Sequence, residues 1–469
     1  MSSATTAAPI VPADAPSLSR AGLLVLAFGT LDFGLESSIV LPGLPALAQH
    51  YSASLIAASW LATGFLLASV VAVPLFGRLG DLFGRRRLLL VGVGAFAVGS
   101  LVCALAESIG VVIAGRVMQG VGAAVGPLAL GIARDALPPA MLTRGIGILV
   151  GAAGAGAAIG YLAGGVLIDQ GSVSSIFWFL FVVSVGLFVA AAVLVPAPPP
   201  VHAPVPVDIA GAALIGAGLA ALLLAVSKGN AWGWDSPGVV ALLVGSGLLL
   251  AAFAFWERRV AHPLVDLDFV RGRPFAHANG CAFAVGFALA LVVIVVPQIA
   301  ALPAVTGYGL GYTPTQIGFL LLPMALSSIG AAWVGGRVVE VIGPRAVVAV
   351  GCAVAVAAYG LLIAAHTTAA AIATATGALG VALGLTVTGI ASVVVHSAPL
   401  DKTSVAAAVN GIVRTTGSAV GAAVTAAVIT GAGLVGPMPA EAGFSRSFAV
   451  GAIASACALI ASLLLPRRG

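Results

Sequence analysis

The chain has 469 residues, of which 61% are hydrophobic and only 7% are charged. An ordinary soluble domain carries about 25% charged residues, so this chain lacks the polar surface that a water-facing globule needs. The composition excludes a soluble enzyme, a disulfide-rich secreted scaffold and a disordered chain, and the net charge of +5 comes without the basic, aromatic-rich cluster of a nucleic-acid-binding protein.

Long apolar runs follow one another along nearly the whole chain. A helix needs about 20 mainly apolar residues to cross a bilayer, and these runs are too long, and alternate too little, for barrel strands. The predicted spans are 21–45, 54–76, 88–106, 109–133, 143–168, 173–195, 208–227, 237–256, 274–301, 315–335, 346–366, 370–395, 403–432 and 446–466. We therefore predict an all-α integral membrane protein with about 14 transmembrane spans.

The positive charges predict how the spans are oriented. Sixteen of the 20 Lys and Arg residues lie on one side of the predicted spans, whereas Lys228 and Arg446 lie on the other. Because positive residues accumulate in cytoplasmic loops, this asymmetry predicts an even number of spans and two cytoplasmic termini.

One short motif occurs twice, and its matched positions are 259 residues apart. The first copy contains Gly77, Arg78, Asp81, Gly84, Arg85 and Arg86, and the second contains Gly336, Arg337, Glu340, Gly343 and Arg345. One such charged loop would be read as a topology signal, but two copies in corresponding places favour a duplicated half. Two six-span halves of this kind form transporters with a substrate site between the halves.

The duplication predicts how the chain is divided. The segments are a disordered cytoplasmic tail (1–20), a first six-helix half (21–195), a Pro-rich linker (196–207), two inserted helices with a cytoplasmic loop (208–273) and a second six-helix half (274–469).

Two acids and one arginine lie deep inside predicted spans. Asp32 and Glu36 are four residues apart in the first span, so both project from one helical face. A charged carboxylate is costly at this depth, so a group of this kind is suited to gaining and losing a proton. Arg116 in the fourth span is expected to find a carboxylate or backbone carbonyls, as a proton-coupling residue or as a structural ion pair. At the 259-residue offset, Leu291 and Val295 take the places of the two acids.

Two further residue sets are candidates for function. A glycine stripe in the fifth span contains Gly147, Gly156, Gly160, Tyr161, Gly164 and Gly165. Small residues at this spacing allow helices to pack closely. Residues that could line a cavity are Trp60, Gln119, Asn410 and Arg414.

These motifs resemble those of the major facilitator superfamily, and the chain is similar to its fourteen-span drug:proton antiporter family. The segments that carry the resemblance are 36–45, 77–87, 116–122, 147–165, 257–266 and 410–421. The resemblance implies a cytoplasmic latch for the Asp81 loop, an acidic position at Glu36 and a proton-transfer role for Arg116. Tyr161 departs from the pattern, because the family's antiporter motif has proline there.

The predicted function is export of small hydrophobic or cationic compounds, such as drugs or antibiotics, against an inward flow of protons. The alternatives are a proton symporter or an exporter dedicated to one endogenous metabolite, and, with less support, a membrane-embedded enzyme. No Walker A motif and no metal-ligand spacing occur, so the proton is expected as coupling ion, without cofactor or metal. We expect a monomer in a bacterial cytoplasmic membrane, with no nucleic-acid partner.

Overall fold

The structure is a computed structural model that describes residues 18–196, 208–260, 272–397, 403–435 and 438–466. Within these ranges the chain forms 16 α-helices. They are α1 Arg20–Ser38, α2 Leu44–His50, α3 Leu55–Phe83, α4 Arg85–Ala104, α5 Ile109–Gly122, α6 Val125–Ala136, α7 Pro139–Gln170, α8 Ser175–Leu194, α9 Ile209–Trp232, α10 Pro237–Glu257, α11 Arg273–Ala301, α12 Pro314–Ile342, α13 Pro344–Ala365, α14 Ala369–Ser397, α15 Thr403–Gly431 and α16 Glu441–Ser462. A 3-10 helix, Ala304–Thr306, and two paired antiparallel strands, β1 Leu434–Val435 and β2 Met438–Pro439, are the other described elements.

Three predicted segments lie largely outside the described residues. They are most of the tail 1–20, nearly all of the Pro-rich linker 196–207 and the part of the cytoplasmic loop at 261–271.

The helices account for the predicted membrane spans. The described residues contain 13 helical segments that are long and apolar enough to cross a membrane, and these include α5 and α6 together as one segment. α9 adds a 24-residue helix whose shorter apolar stretch is Ala213–Leu222. With α9 the helices match the predicted all-α fold of about 14 spans.

The duplicated motif is mostly helical, which corrects its prediction as a loop. Its early residues occupy the last two turns of α3 and, in the second copy, of α12. Only Gly84 and Gly343 interrupt the helices, with φ values of +95° and +82°. A Cβ disfavours this region, so glycine at both positions lets the chain turn directly into the next helix.

Glycines bring α1 and α7 into backbone contact in the first half. A Cβ at Gly34 would overlap the carbonyl oxygen of Ala153, and a Cβ at Gly156 would overlap that of Leu31. The two helices can therefore approach this closely only because these positions lack side chains.

The same contacts recur between α11 and α15 in the second half. A Cβ at Gly286 would overlap the carbonyl oxygen of Arg414, and one at Gly417 would overlap that of Phe283. The residues in α11 follow their counterparts in α1 by 252 positions, and those in α15 follow theirs in α7 by 261. The two six-helix halves thus share one mode of helix packing.

For α1 and α11 the packing replaces the 259-residue offset of the motif with an offset of 252 residues. At the 252-residue offset, the counterparts of Asp32 and Glu36 are Ala284 and Ala288, instead of Leu291 and Val295. These counterparts are also uncharged, so the acidic pair still belongs to the first half alone.

The inserted helix α9 lies where the two halves meet along α3 and α15. Leu219 of α9 packs with Ile412 and Ala419 of α15, and Leu67 of α3 borders the same cluster. The second inserted helix, α10, is held to α9 by the Ser246 hydroxyl, whose Oγ lies 2.8 Å from its acceptor, a backbone carbonyl oxygen of α9. The inserted pair therefore covers this junction.

Candidate functional site

A buried acid and a buried arginine form the centre of the first half. Glu36 lies near the end of α1 and Arg116 lies in α5, and both side chains are 0% exposed. Arg116 Nη1 is 3.5 Å from Glu36 Oε2. Because two charges in an apolar interior lose their hydration, an ion pair here needs further hydrogen bonds to hold it.

Backbone and amide oxygens supply those bonds to Arg116. Its Nε donates to the carbonyl oxygen of Leu61 at 2.9 Å, and its Nη1 donates to the backbone oxygen of Glu36 at 2.9 Å and to Gln119 Oε1 at 2.7 Å. The guanidinium also lies 4.6 Å from the ring centroid of Phe65. These groups do not change charge, but Arg116 Nη2 is buried and has no hydrogen-bond partner among the described residues.

Ser100 of α4 connects the acid to the amide. Its hydroxyl lies 3.1 Å from Glu36 Oε1 and 2.7 Å from the carbonyl oxygen of Phe96, and it accepts a hydrogen bond from Gln119 Nε2 at 2.7 Å. A hydroxyl has one proton, so it can donate fully to only one of its two acceptors at a time. Ser100 can therefore turn towards Glu36 when that group is charged and away when it is neutral. We call Glu36, Ser100, Arg116 and Gln119 the Glu36 network.

Asp32 makes a different contact from Glu36 although both lie on α1. Its Oδ2 accepts a hydrogen bond from Ser184 Oγ of α8 at 3.1 Å. Its Oδ1 is buried and has no hydrogen-bond partner among the described residues. Asp32 thus lies beside the Glu36 network and is bound to another helix.

Sequence reasoning missed Ser100, Ser184, Leu61 and Phe65. A serine inside a helix often bonds the carbonyl of its own preceding turn, so an isolated serine in an apolar span gives no signal. A backbone carbonyl gives none at all.

In the first copy of the duplicated motif, the described arginines bind within the first half. Arg85 Nη1 lies 2.5 Å from Asp135 Oδ2 and donates to the carbonyl oxygen of Gly131 at 2.9 Å. Arg86 donates to the carbonyl oxygen of Ala192. These bonds tie the start of α4 to the ends of α6 and α8.

The predicted latch that holds the cytoplasmic side closed stays a prediction. The side chains of Arg78 and Asp81 are outside the described part of the structure. In the second copy, the Arg337 guanidinium stacks 4.0 Å from the ring centroid of Trp333 on the same helix. Glu340 is exposed, and no ion-pair partner for it occurs among the described residues.

We expect Arg85→Ala to lower the transport rate several-fold while the protein stays in the membrane, because the variant loses the bonds to Asp135 and Gly131. Asp81→Asn should act in the same direction. The measurement is transport rate normalised to membrane protein. Arg87→Ala is the matched control, since Arg87 is exposed and adjacent and carries the same topological charge. Equal transport rates in Arg85→Ala, Asp81→Asn and the control would indicate that the charges of the motif only orient the spans in the membrane.

The glycine stripe of α7 faces two different helices. A Cβ at Gly160 would overlap Ser38 Oγ, and one at Gly164 would overlap the carbonyl oxygen of Ile39, so these two glycines and Gly156 pack on α1. The surroundings of Gly147 are not part of the described structure.

The other two motif residues face the second half. A Cβ at Gly165 would overlap the carbonyl oxygen of Pro314 in α12, and a Cβ at Gly318 of α12 would overlap the carbonyl oxygen of Tyr161. α7 and α12 therefore meet backbone to backbone, and the motif joins the two halves as well as α1 and α7.

We expect Tyr161→Pro to insert into the membrane but to change the transport rate. α7 is a continuous helix across Tyr161, and an internal proline removes one helical hydrogen bond and bends the helix. A bend here would alter the contact with α12. The measurement is initial transport rate with proton coupling in vesicles; Tyr161→Phe is the control, because it keeps the unbent backbone. A wild-type transport rate and wild-type proton coupling in Tyr161→Pro would show that tyrosine in place of the motif proline has no effect on the mechanism.

Two of the predicted cavity residues, Gln119 and Trp60, contact other side chains in this structure. Gln119 is fully buried within the Glu36 network in this structure, so its place along a cavity stays a prediction. The Lys228 ammonium of α9 lies 4.9 Å from the ring centroid of Trp60, so Trp60 takes part in the contact between α3 and the inserted pair.

The remaining two predicted cavity residues lie on α15. Asn410 Nδ2 donates to Asn279 Oδ1 of α11 at 3.0 Å, which adds a polar bond to the glycine contacts of these helices. Arg414 is half-buried in the middle of α15, and its side chain has no hydrogen-bond or ion-pair partner among the described residues. A charged side chain at this depth faces protein or water rather than lipid.

Helices of membrane-spanning length, repeated packing in two halves and buried charges in one of them define a polytopic membrane transport protein. A model of the Major Facilitator Superfamily matches residues 26–422, and the chain belongs to that superfamily.

Curated relatives include an antibiotic resistance and export protein, a multidrug resistance protein and a probable transporter. The tetracenomycin C resistance and export protein of Streptomyces glaucescens is 31% identical over 408 residues, which are 86% of this chain and 74% of that protein. The multidrug resistance protein Stp of Mycobacterium tuberculosis is 29% identical over 415 residues, which are 87% of this chain and 75% of that protein. The probable actinorhodin transporter of Streptomyces coelicolor is 29% identical over 316 residues, 65% of this chain and 53% of that protein.

Solved structures share the fold. The human organic anion transporter MFSD10 superposes with a TM-score of 0.63 at 18% identity, covering 95% of this chain and 99% of that chain. A mutant of the nucleoside transporter NupG gives a TM-score of 0.66 at 12% identity with the same coverage.

Proposed function

We propose that this chain exports small hydrophobic or cationic compounds, including antibiotics or drugs, in exchange for protons. It would do so by alternating access, with the two halves rocking around a site between them. The single observation that carries proton coupling is the fully buried contact between Glu36 and Arg116 in the first half.

The Glu36 network is suited to releasing and rebinding a proton. When Glu36 is ionised, it pairs with Arg116 and can accept a bond from Ser100. When Glu36 is protonated, its charge is gone, while Arg116 keeps its carbonyl and amide partners. Protonation therefore removes the Glu36 counter-charge from a buried guanidinium, which weakens the contact between α1 and α5, and the position of α1 can respond to the change.

The substrate class follows from the chemistry of the interior and from the relatives. A buried carboxylate in a membrane protein favours organic cations. The relatives are named for tetracenomycin C, actinorhodin and multidrug resistance. Export of antibiotics is therefore part of the proposal.

The proposed setting is a bacterial cytoplasmic membrane. The relatives are bacterial, and the distribution of lysine and arginine favours cytoplasmic termini. One chain contains both halves and the Glu36 network, so the proposed unit of transport is the monomer.

Everted membrane vesicles test the proposal. Ethidium serves as the organic cation and tetracenomycin C as the antibiotic, and an inside-acid proton gradient is imposed. Accumulation that a protonophore abolishes is the expected result, because export from the cell is uptake into an everted vesicle. Vesicles from cells without the protein are the control.

Other outcomes point to the alternatives. Accumulation in right-side-out vesicles with an inward proton gradient would indicate symport. Transport of tetracenomycin C but not of ethidium would indicate an exporter of narrow specificity. Accumulation that survives the protonophore would contradict proton coupling.

A further inference from the structure

One hydrogen bond joins the ends of two helices from opposite halves. Asp169 lies at the end of α7, and its Oδ2 accepts the backbone N–H of Thr315 at the start of α12, at 2.8 Å. The span order places this contact at the outer face in the proposed orientation. No motif of the sequence drew attention to Asp169.

The start of α12 is completed by this bond. The first N–H groups of a helix lack partners within the helix. Pro314, the first residue, has no N–H, and the N–H of Gln316 is directed to the Thr313 side chain in a capping box. Thr315 lies between these two residues, and its N–H donates to Asp169 in the first half of the molecule.

Beside this bond, the backbones of α7 and α12 are in direct contact, and this contact also requires the outer ends to be close together. Gly165, one turn before Asp169, packs on Pro314 and Thr315, and Gly318 packs on the backbone of Tyr161. The outer ends of α7 and α12 are therefore closed on each other, and an outward opening of the halves must separate them.

We propose that Asp169 is a positioning residue that holds the outer side closed by capping α12 from the opposite half. Its carboxylate meets the positive end of the α12 dipole and fills its free donor. When the halves open outward, the Asp169 carboxylate and the Thr315 N–H separate and each binds water instead, so the cap is lost. The inference rests on the proposed alternating-access function and identifies a residue that sets the balance between its two states.

The test measures the separation of the outer ends directly. Spin labels are placed at Ser172 and Val305, which are exposed outer positions of the first and second half, in a cysteine-free background. Pulsed electron paramagnetic resonance on the full chain in lipid nanodiscs then gives the ratio of open to closed outer distances. Neither substrate nor a proton gradient is needed, so the result is independent of what the protein transports.

We expect Asp169→Ala to raise the open-to-closed ratio about fivefold, the factor that corresponds to a lost helix cap of ~1 kcal/mol. Asp169→Asn should raise it less, because the amide oxygen can still accept the bond. Gln316→Ala is the matched control: it removes the bond from Thr313 N–H to Gln316 Oε1 at the same helix end, within one half. An unchanged ratio in Asp169→Ala, or an equal rise in Gln316→Ala, would overturn the proposal.

Discussion

Replacement of Glu36 by glutamine is expected to reduce drug-induced proton release to the level of protein-free liposomes. Glutamine keeps the shape of the side chain and an oxygen that can accept from Ser100, but it cannot ionise. Arg116 retains its bonds to Leu61 and Gln119 but loses its counter-charge, so we expect a lower unfolding midpoint with the fold of the first half retained. Exchange of substrate down its gradient should continue, because exchange needs movement of the halves without net proton release.

The neighbouring acid supplies the comparison for this experiment. Asp32→Asn should cost less and chiefly affect cationic substrates, because Asp32 is bound to Ser184 and lies outside the Glu36 network. Proton release and downhill exchange would be measured on the same proteoliposome preparations. Full proton coupling in Glu36→Gln would contradict the assignment, and its loss in Asp32→Asn instead would move the proton carrier one helical turn along α1.

The gross architecture could be predicted because it depends on composition. A bilayer admits few ways to satisfy backbone polar groups, so apolar runs of sufficient length become helices. The helical form of the duplicated motif was harder to predict, because Arg78 and Asp81 suggest a polar loop although the chain remains helical up to Gly84. Charged residues can thus occupy the last turns of a long apolar helix.

The charged members of the candidate site could be found from the sequence, but their arrangement could not. Charge inside an apolar run singles out Glu36 and Arg116, which are 80 residues apart. Which serine meets which acid depends on how each helix is rotated about its axis. The sequence carries no direct signal for that rotation, so Ser100 and Ser184 were found only in the structure.

The glycine positions show the same limit in another form. The spacing of the stripe predicts close packing but does not say which neighbour each glycine meets. The structure assigns Gly156 to α1 and Gly165 to α12. One motif therefore serves a contact within the first half and a contact between the halves.

Replacement of Gly156 by alanine is expected to destabilise the protein by about 1–3 kcal/mol, the cost of forcing a methyl group into a closely packed interior. The added Cβ would overlap the backbone carbonyl of Leu31, which cannot move aside as a flexible side chain could. α1 would have to shift, and Leu31 is next to Asp32. We therefore expect a lower unfolding midpoint together with reduced proton coupling.

Two control variants accompany Gly156→Ala. One measures the general effect of an alanine in α7, and the other tests the corresponding glycine contact in the second half. Gly151→Ala lies on the same helix, where an added Cβ meets nothing within 4 Å, so its unfolding midpoint should stay at the wild-type value. Gly417→Ala makes the corresponding overlap, with the carbonyl of Phe283 in the second half, and should lower the midpoint similarly. Proton coupling should suffer less in Gly417→Ala, since α11 carries alanines at the places of the two acids. Equal loss of coupling in Gly156→Ala and Gly417→Ala at matched stability would contradict a proton pathway confined to the first half.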